Sequence, residues 1–126
     1  ILKKYSKFEL FDYEDNIAGQ DSLHESDIMI SDWSGATFDY SYGLGKSVIF
    51  IDVPKKVNNV SYEEIGIEPI EITERESIGR ILSVEDIENI SELVRATVSI
   101  RSVNAVFNPG TSSEVGARNI MGIMKG

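Results

Sequence analysis

The chain has 126 residues, 41% hydrophobic and 26% charged, with 21 acidic against 12 basic side chains and a net charge of −9. That length suits one domain with a core of its own, residues 1–126, and the acidic balance argues against duplex DNA, an RNA backbone or an anionic membrane as main partner. Cysteine is absent and His24 is the sole histidine, which removes disulfides, thiol catalysis, cysteine–zinc sites and His-rich metal sites.

No run of about 18 apolar residues and no charged-then-apolar leader occurs, so a cytoplasmic location is expected and the sequons at Asn59 and Asn89 read as accidental. The chain starts at Ile1 rather than at methionine, and it is expected to be an excised piece of a larger protein.

Taken in chain order, Phe8 to Phe11 alternates weakly and predicts a short strand, followed by a polar loop from Asp12 to Gly19. Asp21 to Ser26 predicts a short helix anchored by Leu23. Ile28-Met29-Ile30, bounded by Asp27 and Asp32, has the pattern of a strand covered on both faces. A small polar turn, Ser31 to Gly35, leads into a helix from about Ala36 to Tyr42, closed by Gly43 and Gly45. Ser47 to Asp52 is the clearest strand, ended by Pro54. Residues 55–65 form a polar loop. Ile67 to Ile72 reads as an edge strand, because Pro69 removes a ladder donor. Thr73 with Glu76 makes a capping box for a helix through Leu82. Ser83 caps a further helix, on which Ile87, Ile90 and Val94 share a face. Thr111 with Glu114 caps a C-terminal helix carrying Ala117, Ile120, Met121 and Met124. Strands alternating with helices imply a Rossmann-like parallel sheet flanked by helices.

The segment from Asp27 to Tyr40 carries the most chemistry. It is a buried strand, a tight turn and a helix start, and ligands in parallel sheets gather at the carboxyl ends of strands. The first amides of a helix lack internal partners and carry about half a positive charge, a setting that suits a diphosphate. Asp32, Trp33, Ser34, Gly35, Ala36 and Thr37 form that turn. Ser34 can add a hydroxyl, and Gly35 lets an oxygen approach without a Cβ in the way. The same pattern also suits a plain structural cap by Asp32 or Ser34 with a packing glycine at 35. Asp39, one turn into the helix, can accept from ribose hydroxyls or simply face solvent. Lys55 and Lys56 follow the 47–52 strand at the same sheet edge, within reach of a phosphate or in a solvated loop. Gly110 to Ser113 reads chiefly as a cap.

Other matches fail. Gly43-Leu44-Gly45-Lys46-Ser47 looks like the tail of a phosphate-binding P-loop, but Tyr40 stands where the first glycine belongs and the segment precedes a strand. Asp12 to Asn16 hints at a calcium loop, yet Ile17 replaces the required glycine. No metal is expected. His24 reads as a surface residue, and Trp33, Phe38, Tyr40 and Tyr42 as core or pocket wall.

The run from Ser22 to Tyr40 resembles the C-terminal region of the CDP-glycerol glycerophosphotransferase family, the teichoic-acid and capsule polymerases of GT-B architecture. That family shows a leucine, an Ala/Ser-Asp pair, a short apolar strand, Thr/Ser-Asp-Tyr-Ser-Ser and Phe-Asp-Tyr. Lys46-Ser47-Val48-Ile49-Phe50 matches its following strand, and Gly110 to Glu114 is loosely similar to its closing helix start. The resemblance covers the central third of the chain well and the end loosely. It implies the truncated C-terminal, donor-binding half of a GT-B fold. The bound partner would be the nucleotide-diphosphate part of a CDP-linked polyol phosphate, with no further cofactor. The turn at Ser34 and Gly35 would hold the diphosphate, and Asp39 would lie near the nucleotide sugar. The resemblance also implies an N-terminal acceptor domain bearing a His-Gly-Thr catalytic motif, absent here, so no turnover is expected of this chain alone. The full-length enzyme would work at the inner face of the membrane. Trp33 in place of Tyr and Gly35 in place of the second Ser leave the donor open between glycerol, ribitol and sugar.

A non-catalytic receiver-like α/β interaction module is the alternative, since Asp32 and Asp52 end adjacent strands, although it lacks the matching lysine and acidic pair. A nucleotide-sugar epimerase half would need a glutamate pair where only Asp39 stands.

Overall fold

The computed structural model describes residues 2–16, 20–55, 57, 59, 61–98, 108 and 110–125. Among them, three parallel strands form one sheet in the order β1 (Met29–Ser31), β2 (Val48–Asp52) and β3 (Gly79–Ser83). Met29 lies opposite Val48, and Val48 opposite Gly79, so the ladder starts level across all three strands. Helix α1 (Leu2–Tyr5) precedes the sheet, and α2 (Asp21–Glu25) leads into β1. Helix α3 (Ala36–Leu44) joins β1 to β2, while α4 (Ile70–Thr73) and α5 (Arg75–Ile78) come before β3. Helices α6 (Ile90–Thr97) and α7 (Ser112–Lys125) complete the described elements. The chain is therefore of the α/β class, a small parallel sheet flanked by helices. No helix among the described residues is long and apolar enough to cross a membrane.

The core lies on one face of the sheet, where Phe38 and Tyr40 of α3 meet Val48, Phe50 and Ile78. Period-two alternation puts Val48 and Phe50 on this face and Ile49 on the other, and all three are fully buried, which is why β2 reads as a continuous apolar run. Leu23, Met29, Tyr42 and Leu44 close the core at its margins. On the opposite face, α6 lies against β2 and β3 and turns its half-buried Ile90, Leu93 and Val94 inward.

Helix α3 ends at Gly45, whose φ of 67° is the left-handed conformation that stops a helix, and its amide returns to the Ser41 carbonyl. Lys46 then reaches back. Its ammonium donates to the carbonyls of His24 (2.7 Å) and Ser26 (2.6 Å), and the Tyr40 hydroxyl donates to the same Ser26 carbonyl at 3.0 Å. The segment that resembles a P-loop tail is thus a helix stop followed by a lysine that ties the end of α2 to the link between α3 and β2.

Several expected elements are different. Phe8 to Phe11 is a chain of turns rather than a strand, in which Tyr5 stacks near Phe8 and Phe11. Ile67 to Ile72 is not an edge strand. Residues 67–69 are irregular, and α4 begins at Ile70, directly after Pro69, which suits a helix entrance because it has no amide to satisfy. The helix expected from Thr73 through Leu82 stops at Ile78, and residues 79–83 are the third strand. Ile78, Ile81 and Leu82 fall at helical spacing by coincidence. The sheet wins because Gly79 is the one residue that can sit against the Val48 carbonyl. The Ser83 hydroxyl accepts from the Asp86 amide at 3.2 Å but caps neither the 3₁₀ turn at Ile87–Asn89 nor α6, which start at Asp86 and Asn89 without a side-chain cap. Thr111 does not form the expected box with Glu114; its hydroxyl donates to the Asn108 carbonyl instead. Ile120, Met121 and Met124 on α7 are exposed. Of the polar loop at 12–19, positions 17–19 lie outside the described residues.

The Tyr42 hydroxyl is enclosed without a hydrogen-bond partner. Burial, with the Glu74 charge adding to it, raises the phenol pKa above its ordinary 10. The folded chain then holds that proton more tightly than the unfolded chain. Stability is fully present below pH 10 and falls as pH climbs from 10 through the raised value. Tyr42→Phe is expected to flatten this alkaline decline and to leave neutral-pH stability unchanged or raised by up to about 1 kcal/mol. Urea unfolding at neutral and alkaline pH measures both.

Candidate functional site

The turn of Asp32 to Gly35 leaves the carboxyl end of β1 and enters α3, so it lies at the sheet edge where ligands of parallel sheets collect. Two amides at the helix entrance are used internally. Thr37 donates to the Ser34 carbonyl at 3.2 Å and Phe38 to the Gly35 carbonyl at 3.0 Å. Among the described residues, the amides of Ser34, Gly35 and Ala36 meet no acceptor, and Gly35 and Ala36 are exposed. No side chain caps the helix. Asp32 is exposed, and neither its carboxylate nor the Ser34 hydroxyl accepts a helix amide.

Gly35 has an ordinary helical φ of −60°, and a Cβ placed on it would meet nothing within 4 Å. The fold does not require glycine there. Both parts of the plain-cap reading, a capping side chain and a packing glycine, are missing from this turn. What remains is an uncapped helix of nine residues whose open end faces solvent beside a bare backbone.

The other predicted residues separate. Thr37 is fully buried, and its hydroxyl donates to the Ser34 carbonyl at 2.6 Å, so it shapes the turn rather than facing a ligand. Asp39 is exposed on α3. Trp33 and Lys55 come together on the wall of a cavity of about 220 Å³, with Asn59, Tyr62, Pro69 and Glu71 around them. The Lys55 ammonium sits 4.2 Å from the centre of the Tyr62 ring, drawn by the ring's negative face. Lys56 lies outside the described residues. Asp32 and Asp52 are joined by no third acidic or histidine side chain in a metal-sized group among the described residues.

Behind Trp33 stands a residue that sequence reasoning missed. Arg75 is only 5% exposed. Its guanidinium lies 4.0 Å from the centre of the Trp33 ring and 4.9 Å from that of Phe50, and Nη1 donates to Asp52 Oδ1 at 3.2 Å. Its Nε and Nη2 are buried without partners. On the far side, the Trp33 indole N–H donates to the Val53 carbonyl at 2.8 Å. Trp33 is thereby fixed by one hydrogen bond and one stacked cation. An arginine within a short polar stretch normally reads as a solvated charge, and only the three-dimensional meeting with Trp33, Phe50 and Asp52 marks it out. Tyr62 and Glu71 were likewise hidden, since each lies in a short helical stretch with no motif of its own.

No protein-family model, no curated protein and no solved structure matches the chain.

Proposed function

We propose that this chain is the donor-binding half of a glycerophosphotransferase-like enzyme of cell-surface polymer synthesis, the C-terminal part of a GT-B transferase. It would hold the diphosphate of a CDP-linked polyol. A separate N-terminal domain would bring the acceptor and the catalytic histidine, and the whole enzyme would act at the inner face of the membrane. The observation that carries this reading is the uncapped entrance of α3 at the carboxyl end of β1, with the amides of Gly35 and Ala36 open to solvent and a glycine that the fold does not demand. The resemblance of Ser22 to Tyr40 to the transferase family supplies the substrate class.

Magnitude sets the expectation for binding. A helix entrance contributes roughly 0.3–2 kcal/mol toward an anion, whereas micromolar affinity needs about 8 kcal/mol. With one wall of the cleft present, CDP is expected to bind this chain at roughly millimolar strength. Titrating ¹⁵N-labelled chain with CDP should shift the amides of Ser34 to Thr37. The reading fails if those signals stay still at several millimolar.

A further inference from the structure

We propose that α7 is a self-association surface, on which a second copy of this chain docks antiparallel along the Ile120 and Met124 stripe.

The helix has its apolar side turned out. Ile120, Met121, Ile123 and Met124 are between 51% and 81% exposed. Residues three and four apart share one face of a helix, so Ser113, Ala117, Ile120 and Met124 form one line, with Met121 and Ile123 on its two flanks. The half-buried Val115 lies on the other side. Large apolar side chains held in water along a single face mark a contact surface, whereas exposed residues scattered singly do not.

The order of residues along α7 selects the occupant. Ser113, Gly116 and Ala117 make its first half small, and the large side chains fill its second half. A parallel copy would set bulk against bulk and leave the small residues facing a gap. An antiparallel copy sets Met124 against Ser113, Met121 against Gly116 and Ile120 against Ala117, each twice by two-fold symmetry, and lets the helix axes approach closely. The charges have the same polarity. Glu114 and Lys125 lie about three turns apart on one flank, so each meets its opposite on an antiparallel copy and its like on a parallel one. The polar side carries Arg118 and Asn119 rather than a row of cations, which does not suit an anionic bilayer. A helix of 14 residues is about 21 Å long, a short seam, so the dimer is expected to be weak, with a Kd of roughly 10–100 µM.

Sedimentation equilibrium of the full chain tests this, from roughly 5 to 500 µM at about 0.15 M salt, where the repulsion between two acidic chains is screened beyond about 8 Å. The mass should climb from 14.0 kDa toward twice that value. Ile120→Glu puts a charge in the seam at a position exposed in the single chain. It should weaken the dimer roughly a hundredfold and leave urea unfolding of the dilute chain unchanged. Glu114→Lys and Lys125→Glu should each weaken it about tenfold. The double variant should restore it, although it opposes the helix dipole more than either single change does. A mass that stays at 14.0 kDa at the highest concentration overturns the proposal, as does a double variant weaker than both single ones. If α7 instead packs on its own chain, Ile120→Glu lowers the urea stability of the dilute chain. If it instead meets lipid, the chain stays monomeric and pellets with phosphatidylglycerol vesicles. Either result sinks the proposal.

Discussion

Replacing Gly79 by alanine is expected to destabilise the chain by about 3–5 kcal/mol, the upper end of what one methyl group costs a packed interior. Gly79 opens β3 opposite Val48, and a Cβ there would stand 2.0 Å from the Val48 carbonyl oxygen and 3.2 Å from the Phe50 ring. The obstacle is backbone. It cannot swing aside as a flexible side chain would, so β3 must pull away from β2 at the first rung of their pairing. Because Ile78 and Phe50 share one core, the disturbance spreads into it. Urea unfolding followed by far-ultraviolet circular dichroism measures the loss. Gly35→Ala is the matched control. It meets open space in a helical conformation and is expected to leave stability unchanged or raised by about 0.4–1 kcal/mol. Similar costs at the two glycines would refute the close approach of β3 to β2.

Arg75→Ala carries the second large effect, a loss of about 2–4 kcal/mol. The guanidinium fills the space between the Trp33 and Phe50 rings, and truncation removes two cation–π contacts while leaving a void between them. Its ion pair matters less than its packing. Asp52 is 52% exposed on its side chain, so water already solvates it and recovers it when Arg75 is gone. Asp52→Asn is therefore expected to cost less than Arg75→Ala, about 1 kcal/mol. Arg75→Met, which keeps length and fills the gap between the rings, should fall between the two. The indole signal of Trp33 provides a second readout and should move in Arg75→Ala but little in Asp52→Asn. Should Asp52→Asn prove the more damaging change, charge rather than stacking would hold this part of the molecule together.

The centre of the fold was legible because its signals are local. Ile28 to Ile30, between Asp27 and Asp32, and Val48 to Ile51, ahead of Asp52, are apolar runs, and Gly45 stops α3 by a conformation open to glycine, so β1, α3 and β2 could be placed within a residue or two. The third strand was hidden by a coincidence of spacing, since Ile78, Ile81 and Leu82 repeat at three and four residues as a helix face would. What decides between helix and strand there is the neighbour across the ladder, and nothing within residues 73–83 encodes Val48. The turn of Asp32 to Gly35 was visible for the same local reason as β1. The surroundings of that turn were not. Lys55 was picked for a phosphate but lies over Tyr62, and Thr37 was picked for a ligand but is spent on the Ser34 carbonyl. Arg75, Tyr62 and Glu71 gain meaning only through residues distant in sequence.

The hydrogen bond from the Trp33 indole to the Val53 carbonyl joins the segments that leave two adjacent strands. A load applied to either one is transmitted to the other without passing through the sheet. Restraint of the turn that follows β1 therefore restrains the stretch that carries Lys55 as well.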